Sequence, residues 1–277
     1  MAARAEPAKA TAMTVLEARD LSIGYGLTRI ADGLNLALDP GTVTCLLGPN
    51  GIGKTTLLKT LLGLIPALSG TIRIGEEELA SLDRRRIARK IAYVPQAQTT
   101  EFTYTVLDLV VMGRTAYIGP FGAPRPADTD AAMAALEVLG IASLAERDST
   151  RISGGQRQLV LIARALAQQA RIIMMDEPTA SLDLGNRVLV LNTIRRLARD
   201  GLAVVLSTHE PEHVYVVADR VAILGKDRFT TGPVETVMTA AELSNLYGVA
   251  LNIEQTPSGR FVVGTAQTAG VTRAQIV

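Results

Sequence analysis

The sequence predicts an α/β protein: a parallel sheet covered by helices, an antiparallel β subdomain ahead of it, and an α-helical subdomain inserted into it. Three observations predict this. Apolar runs of the fully buried strand type recur between segments of helical spacing: Thr42-Val43-Thr44-Cys45-Leu46-Leu47, Arg171-Ile172-Ile173-Met174-Met175, Ala203 to Ser207 and Val221 to Leu224. Near the N-terminus, Val15 to Ile23 and Leu34-Asn35-Leu36-Ala37-Leu38 alternate in the manner of half-buried strands. From about Ala97 to Leu166 the texture is helical, with no convincing strand.

Bulk properties narrow the class. A chain of 277 residues has room for one large or two small domains. Its 28 basic and 27 acidic residues leave a net charge of +1, so no bulk field calls for nucleic acid or anionic lipid. Aromatic content of 4% without tryptophan disfavours stacking platforms for single-stranded nucleic acid. The single cysteine, Cys45, has no internal disulfide partner; it reads as a buried strand residue in a reducing compartment. No apolar run reaches membrane-spanning length. Residues 1–13 lack the apolar core of a secretory signal and read as a disordered tail, with Met13 as an alternative start.

In chain order, the first two strands turn at Gly24-Tyr25-Gly26, and Asp39-Pro40-Gly41 follows them. Tyr25 therefore sits on a loop, where an aromatic either packs or stacks on a base. The strand Thr42 to Leu47 runs into Gly48-Pro49-Asn50-Gly51-Ile52-Gly53-Lys54-Thr55-Thr56, and leucines at 57, 58, 61 and 62 with Gly63 mark a helix and its stop. Strand, Gly-x-x-x-x-Gly-Lys-Thr, helix is the full context of a phosphate-binding P-loop. Glycines let successive amides point at phosphate oxygens, and the helix adds its positive end. Lys54 is placed for the β- and γ-phosphates and Thr55 for Mg²⁺. The core is thus that of a P-loop NTPase, and the chain binds a nucleoside triphosphate.

Thr71-Ile72-Arg73-Ile74 is a short strand. The basic stretch Asp83 to Lys90 reads as the solvated face of a helix rather than a nucleic-acid patch. Ile91-Ala92-Tyr93-Val94 is a buried strand ending at Pro95-Gln96. Thr105 or Asp108 begins a helix, and Asp128 to Leu139 makes another, with Met133, Leu136 and Leu139 on one face and Gly140 as stop. Between them, Arg114 to Pro126 carries Gly119, Pro120, Gly122 and Pro124 and reads as a loop. Ile152-Ser153-Gly154-Gly155-Gln156 opens an amphipathic helix, Arg157 to Ala167, and offers a second anion-attracting helix start. Leu251 to Val263, around Pro257-Ser258-Gly259, looks like a hairpin.

Taken together, these motifs resemble the ATP-binding subunit of ABC transporters. Gly48 to Thr55 matches Walker A, Gln96 the Q-loop glutamine, and Ser153-Gly154-Gly155-Gln156 the signature. Ile173 to Asp176 with Glu177 matches Walker B and the base after it. Ser181-Leu182-Asp183 matches the D-loop, His209 the switch histidine and Tyr25 the adenine-stacking aromatic. Ile152 stands where leucine is usual, and Ile52 where a small residue is common; both leave the donors intact. The resemblance runs from about residue 14 to 248. It implies an ATPase domain over 14–248 with a helical signature subdomain at 97–166, leaving 249–277 as hairpin and tail.

The resemblance also implies a mechanism. Two copies pair head to tail and sandwich ATP between the Walker A motif of one (Gly48, Pro49, Asn50, Gly51, Gly53, Lys54, Thr55, Thr56) and the signature of the other. Asp183 lies beside the nucleotide. Thr55, Gln96 and Asp176 attend Mg²⁺. Glu177 polarises the attacking water as general base, Gln96 senses metal and water, and His209 contacts the γ-phosphate. Separate permease subunits dock near Met112 to Pro126, a solute-binding protein acts indirectly, and the chain sits peripherally on the cytoplasmic face of the inner membrane. The wording Met112-Gly113-Arg114 and Gly119-Pro120-Phe121, with Thr103 to Asp108, Thr208 to Pro211 and Gly232 to Val249, is similar to importers of iron–siderophore, haem, cobalamin and molybdate.

Rival readings differ in class. A soluble, non-transport ABC ATPase, such as one serving iron–sulfur cluster assembly, has the same motifs; the Met112 to Pro126 loop favours the importer. A GTPase needs an Asn-Lys-x-Asp that is missing, and a small-molecule kinase lacks the second glycine clamp. His209-Glu210-Pro211-Glu212-His213 matches the zinc-protease pattern His-Glu-x-x-His. Pro211 suits the first turn of a helix that starts after His209, so the two imidazoles do not share a helical face. His213 is expected to be an ordinary surface residue.

Overall fold

The computed structural model describes residues 14–96, 104–119, 121–257 and 259–265. The expectations for residues 1–13, 97–103, Pro120, Ser258 and 266–277 lie outside these. The chain begins with β1 (Leu16–Tyr25), β2 (Thr28–Leu38), β3 (Val43–Leu47), α1 (Lys54–Leu61), β4 (Ser69–Ile74), β5 (Glu77–Glu78), α2 (Arg84–Lys90) and β6 (Ile91–Val94). Three helices follow: α3 (Val106–Val111), α4 (Pro126–Val138) and α5 (Gly154–Ala167). Then come β7 (Ile172–Met175), α6 (Leu184–Arg199), β8 (Ala203–Thr208), α7 (Pro211–Val217), β9 (Arg220–Leu224) and β10 (Phe229–Pro233). The C-terminal part is α8 (Val234–Val237), α9 (Ala240–Tyr247), β11 (Leu251–Gln255) and β12 (Phe261–Thr265).

The central sheet runs β10-β9-β3-β8-β7-β6. Its strands pair in parallel except β10, which returns antiparallel to β9. Strand side chains alternate between faces, so each buried run feeds two cores at once. Cys45, Leu47, Ile173, Met175, Val204 and Leu206 face a core closed by Val110, Leu136, Ile162, Ile194 and Val214 of α3 to α7. Leu46, Ile172, Met174 and Val205 face the other core, with Leu57, Leu58 and Leu61 of α1 and Leu21, Ile23 and Leu36 of the antiparallel sheet. One face is therefore covered by α1 and a second sheet, β2-β1-β4-β5, rather than by helices alone. Each fully buried leucine or isoleucine contributes about 1.5–3 kcal/mol.

Several local expectations shift. β1 continues through Tyr25, which pairs with Thr28, so Tyr25 is the last residue of a strand and not a loop residue. β2 starts at Thr28 because backbone pairing, with register shifts along β1, carries the Thr28–Gly33 half, whose only half-buried residues, Ile30 and Ala31, are adjacent and show no alternation. α2 is capped by Asp83 and exposes its arginines, as the solvated reading requires. Thr105 caps α3 in a reciprocal box with Asp108. α4 begins at Pro126, not Asp128: proline suits the first turn, and the Asp128 carboxylate accepts from the Arg125 amide at 3.0 Å. Met112–Ala116 is a 3₁₀ turn rather than loop. Within it Arg114 points inward, donating to Asp128 at 3.0 Å and to the Ala167 carbonyl at 2.8 Å.

Candidate active site

Parallel strands share one carboxyl edge, and ligands of such sheets bind there. β3, β6, β7 and β8 all end at it, which brings Gly48, Gln96, Asp176, Glu177 and His209 from distant sequence to one rim. A cleft of about 370 Å³ opens there, lined by Asn50, Gly51, Gly53, Lys54, Thr55, Thr56, Gln96, Asp176 and Glu177.

The phosphate-facing side is built by the start of α1. Its first amides have no intrahelical acceptor, and no side chain caps them, so they stay available to an anion. Gly53 turns the chain with φ of 114°, and a Cβ there would sit 2.6 Å from Ile30 Cγ2, so only glycine fits. Lys54 is buried; its ammonium donates to the carbonyls of Gly48 at 2.8 Å and Pro49 at 3.0 Å, and lies 3.5 Å from Glu177 Oε1. Burial lowers its pKa from the ordinary lysine value, partly opposed by Glu177.

Opposite stand the two acids. The Thr55 hydroxyl donates to Asp176 Oδ2 at 2.7 Å, and the Ser207 hydroxyl donates to Asp176 Oδ1 at 2.6 Å. Ser207 Oγ also accepts the Glu177 amide at 2.9 Å, so one serine holds the Asp176 carboxylate and the Glu177 main chain. Glu177 itself has φ of 45°, a strained left-handed conformation for a side chain with a Cβ. That turn sets its carboxylate 3.3 Å from His209 Nδ1. Tyr93 OH lies 3.5 Å from Asp176 Oδ2; burial, then the carboxylate, pushes the phenol up to about 12. Thr55 and Asp176 thus present hard oxygen donors side by side, a set that suits Mg²⁺. Mg²⁺ held there would supply positive charge to offset that of the phosphates.

The second glycine clamp stands apart. None of Ser153, Gly154, Gly155, Gln156 or Asp183 lines the cleft. Ser153 caps α5, accepting from the Gln156 amide at 3.2 Å, while Gln156 Oε1 accepts from the Ser153 amide at 3.0 Å. Ser153 and Gly154 are exposed. Gly155 lies against the start of α6: a Cβ there would fall 2.0 Å from Asn186 Oδ1. Asp183 caps α6, accepting from the Asn186 amide at 2.8 Å and its side-chain amide at 2.7 Å. Tyr25 is half exposed on the hairpin whose Ile23 and Ile30 abut Gly53.

The expectation for His213 is overturned. It is buried at 4% exposure, with Nδ1 at 3.4 Å from both the Thr179 and Thr208 hydroxyls and Nε2 at 3.3 Å from Glu210. The reason is that α7 turns this residue toward the sheet. Pro211 is the first residue of α7, so His209 precedes the helix and the two imidazoles lie on different elements. Sequence reading also missed Ser207, Arg187 and Tyr247. Ser207 left a signal, a hydroxyl ending an apolar strand. Arg187, paired with Glu210 at 2.9 Å, and Tyr247, bonded to His209 at 2.8 Å, left none.

A glycine loop closing on a helix start beside ordered acids, at the carboxyl edge of a parallel sheet, defines a P-loop nucleotide-binding protein. Comparison with known proteins carries this further: residues 31–180 match the ABC transporter family. An ABC transporter ATP-binding protein of Haemophilus influenzae is 42% identical over 84% of this chain and 89% of its own length. The molybdate import ATP-binding protein MolC of the same organism is 38% identical over 80% of this chain and 83% of its own. A solved structure described as a metal-chelate type ABC transporter in an inward-facing conformation superposes with a TM-score of 0.80 at 35% identity, covering 91% of this chain and 97% of that one. The chain belongs to the ABC transporter family, as an ATP-binding subunit that hydrolyses ATP to power transport. Among the described residues no helix is long and apolar enough to cross a membrane.

Proposed function

We propose that this chain, with residues 14–248 as its ATPase domain and 97–166 as the inserted helical part, drives an importer for a metal chelate or an oxyanion. Two copies close head to tail, and each P-loop cleft is completed by the partner copy's signature. The observation that carries this reading is the incompleteness of the cleft: one chain supplies Lys54, Thr55, Asp176, Glu177 and Gln96 to it, but neither Ser153 nor Gly154. In the closed pair the Walker A amides and Lys54 hold the triphosphate, Tyr25 stacks on the adenine, and the signature amides face the γ-phosphate. Glu177, its main chain held by Ser207, takes the proton of the attacking water, Gln96 aligns that water, and His209 steadies the γ-phosphate oxygens.

Permease docking is supported by a groove of about 370 Å³ between Leu62, Leu64, Ile87, Met112, Thr115 and Arg164. It borders the Met112 to Pro126 region while Arg114 holds that region in place from inside. The solute class is supported by the molybdate import protein and the metal-chelate type transporter to which the chain is similar. Such a subunit sits at the cytoplasmic face of the inner membrane, held there by its permease.

Glu177→Gln tests the mechanism. Its turnover is expected to fall about 10²- to 10⁴-fold, the contribution of a positioned base, while ATP binding persists and ATP with Mg²⁺ gives a dimer by size exclusion. Unchanged turnover removes Glu177 from the base role, and a chain that stays monomeric with nucleotide trapped rejects the paired site. Co-purification from membranes identifies the permease, and uptake of molybdate against ferric chelates decides the solute.

A further inference from the structure

The C-terminal helix reaches back to the catalytic rim. Tyr247, the last residue of α9, donates its hydroxyl to the main-chain carbonyl of His209 at 2.8 Å, across 38 residues of sequence. The helix behind that hydroxyl is well fixed. Thr239 caps it by accepting from the Glu242 amide at 3.2 Å, and Leu243 is fully buried. Ser244 Oγ accepts from the Leu251 amide at 2.9 Å, tying α9 to β11. The hairpin in turn lies on α7, where Phe261 stacks on Tyr215 with centroids 4.4 Å apart and planes at 21°. Tyr215 OH donates to the Met238 carbonyl at 2.9 Å, which closes the frame.

His209 itself has little else to hold it. Its side chain is 40% exposed, and its ring contact is to Glu177. Its neighbour Glu210 is fixed from the other side by Arg187 at 2.9 Å and His213 at 3.3 Å. The direction of the imidazole therefore follows the main chain on which it sits. Tyr247 is a dependable donor to that main chain: a phenol keeps its proton at neutral pH, and burial pushes this one further up, to about 12.

We propose that Tyr247 is a positioning residue for ATP hydrolysis: its hydroxyl fixes the His209 carbonyl, and through it the approach of the imidazole to the γ-phosphate. The segment α9 to β12 is then a control point for turnover, since a displacement of α9 that breaks the Tyr247 bond releases the switch histidine. The inference rests on the reading of His209 as the γ-phosphate contact.

Tyr247→Phe in the full chain removes the hydroxyl and keeps the ring. The kcat is expected to fall about 3- to 10-fold, the size of one lost neutral hydrogen bond, while KM for ATP and the affinity for ATP stay within twofold. Combined with His209→Ala, the second change is expected to cost nothing more in single-turnover hydrolysis, because the hydroxyl acts through the imidazole. Wild-type kcat in Tyr247→Phe overturns the proposal. So does an equal loss with and without His209, which marks general loosening, as does a rise in KM with kcat preserved. Wild-type turnover in His209→Ala alone overturns the underlying reading first, and is distinguishable because it involves no change at Tyr247.

Discussion

The two helix starts at α1 and α5 are both glycine-rich and have opposite surroundings. The start of α1 has no side-chain cap, is walled by Ile23, Ile30 and Leu224, and brings a buried lysine onto its own loop carbonyls. Its unsatisfied amides face a cleft that already contains an acid pair. The start of α5 is capped by its own Ser153 and Gln156, faces solvent, and presses Gly155 on Asn186. The first gathers Lys54, Thr55, Asp176 and Glu177 around one cleft within a single chain. The second is a self-capped surface feature, and on the proposed reading it becomes a site only against a second copy. Anion-attracting physics alone does not separate them; what separates them is whether other charged groups converge on the same space.

Substitutions sharpen this contrast, beginning with the largest effect. Lys54→Ala is expected to weaken ATP binding by about 100-fold or more, since it removes a buried charge-assisted donor from the cleft; titration calorimetry on the dilute monomer reads it. Gly155→Ala should do the reverse. Its Cβ cannot fit beside Asn186 without moving α5 from α6, so hydrolysis falls at least about 10-fold while monomer affinity for ATP stays within twofold. If Gly155→Ala weakened monomer binding instead, the two starts would be serving one cleft, and the contrast would fail.

The smallest effect concerns the link between them. Thr179 lies between Glu177 and Ser181, and its hydroxyl rests on buried His213. Burial, opposed by Glu210, holds that imidazole below the ordinary value of 6.5, so the folded chain takes its proton later than the unfolded chain as pH falls. The unfolded state then binds more protons, and stability is full above about 6.5 and declines as pH drops through the lowered folded value. His213→Gln should flatten that decline. Urea midpoints at pH 7.5 and 5.5 measure it, and an equal drop in both proteins would remove His213 from the pH response.

Legibility followed the range of the interaction. The P-loop could be read because strand, turn and helix start are contiguous, and the buried strands because β-branched runs need only their own side chains to declare themselves. The N-terminal half of β2 could not, since in Thr28–Gly33 only the adjacent Ile30 and Ala31 are half-buried, which breaks any alternation, and the segment is held by pairing with β1. His213 was misread for a similar reason: a lone polar residue in a short helix carries no sign of which way the helix will turn. Ser207 was half legible, and Tyr247 was silent, because a tyrosine near a C-terminus gives no hint of the carbonyl it will meet.

By itself the sequence determined the P-loop, the alternation of buried strands with helices, and the identities of Lys54, Thr55, Asp176, Glu177 and His209, all of which depend on residue type and local spacing. Only the tertiary structure decided that four strand ends share one rim, that Ser207 bonds both the Asp176 carboxylate and the Glu177 main chain, and that the signature stays out of the cleft its own chain builds. Those outcomes depend on the parallel register and on helix packing, where residues far apart in sequence compete for the same few ångströms, and no short window records who wins.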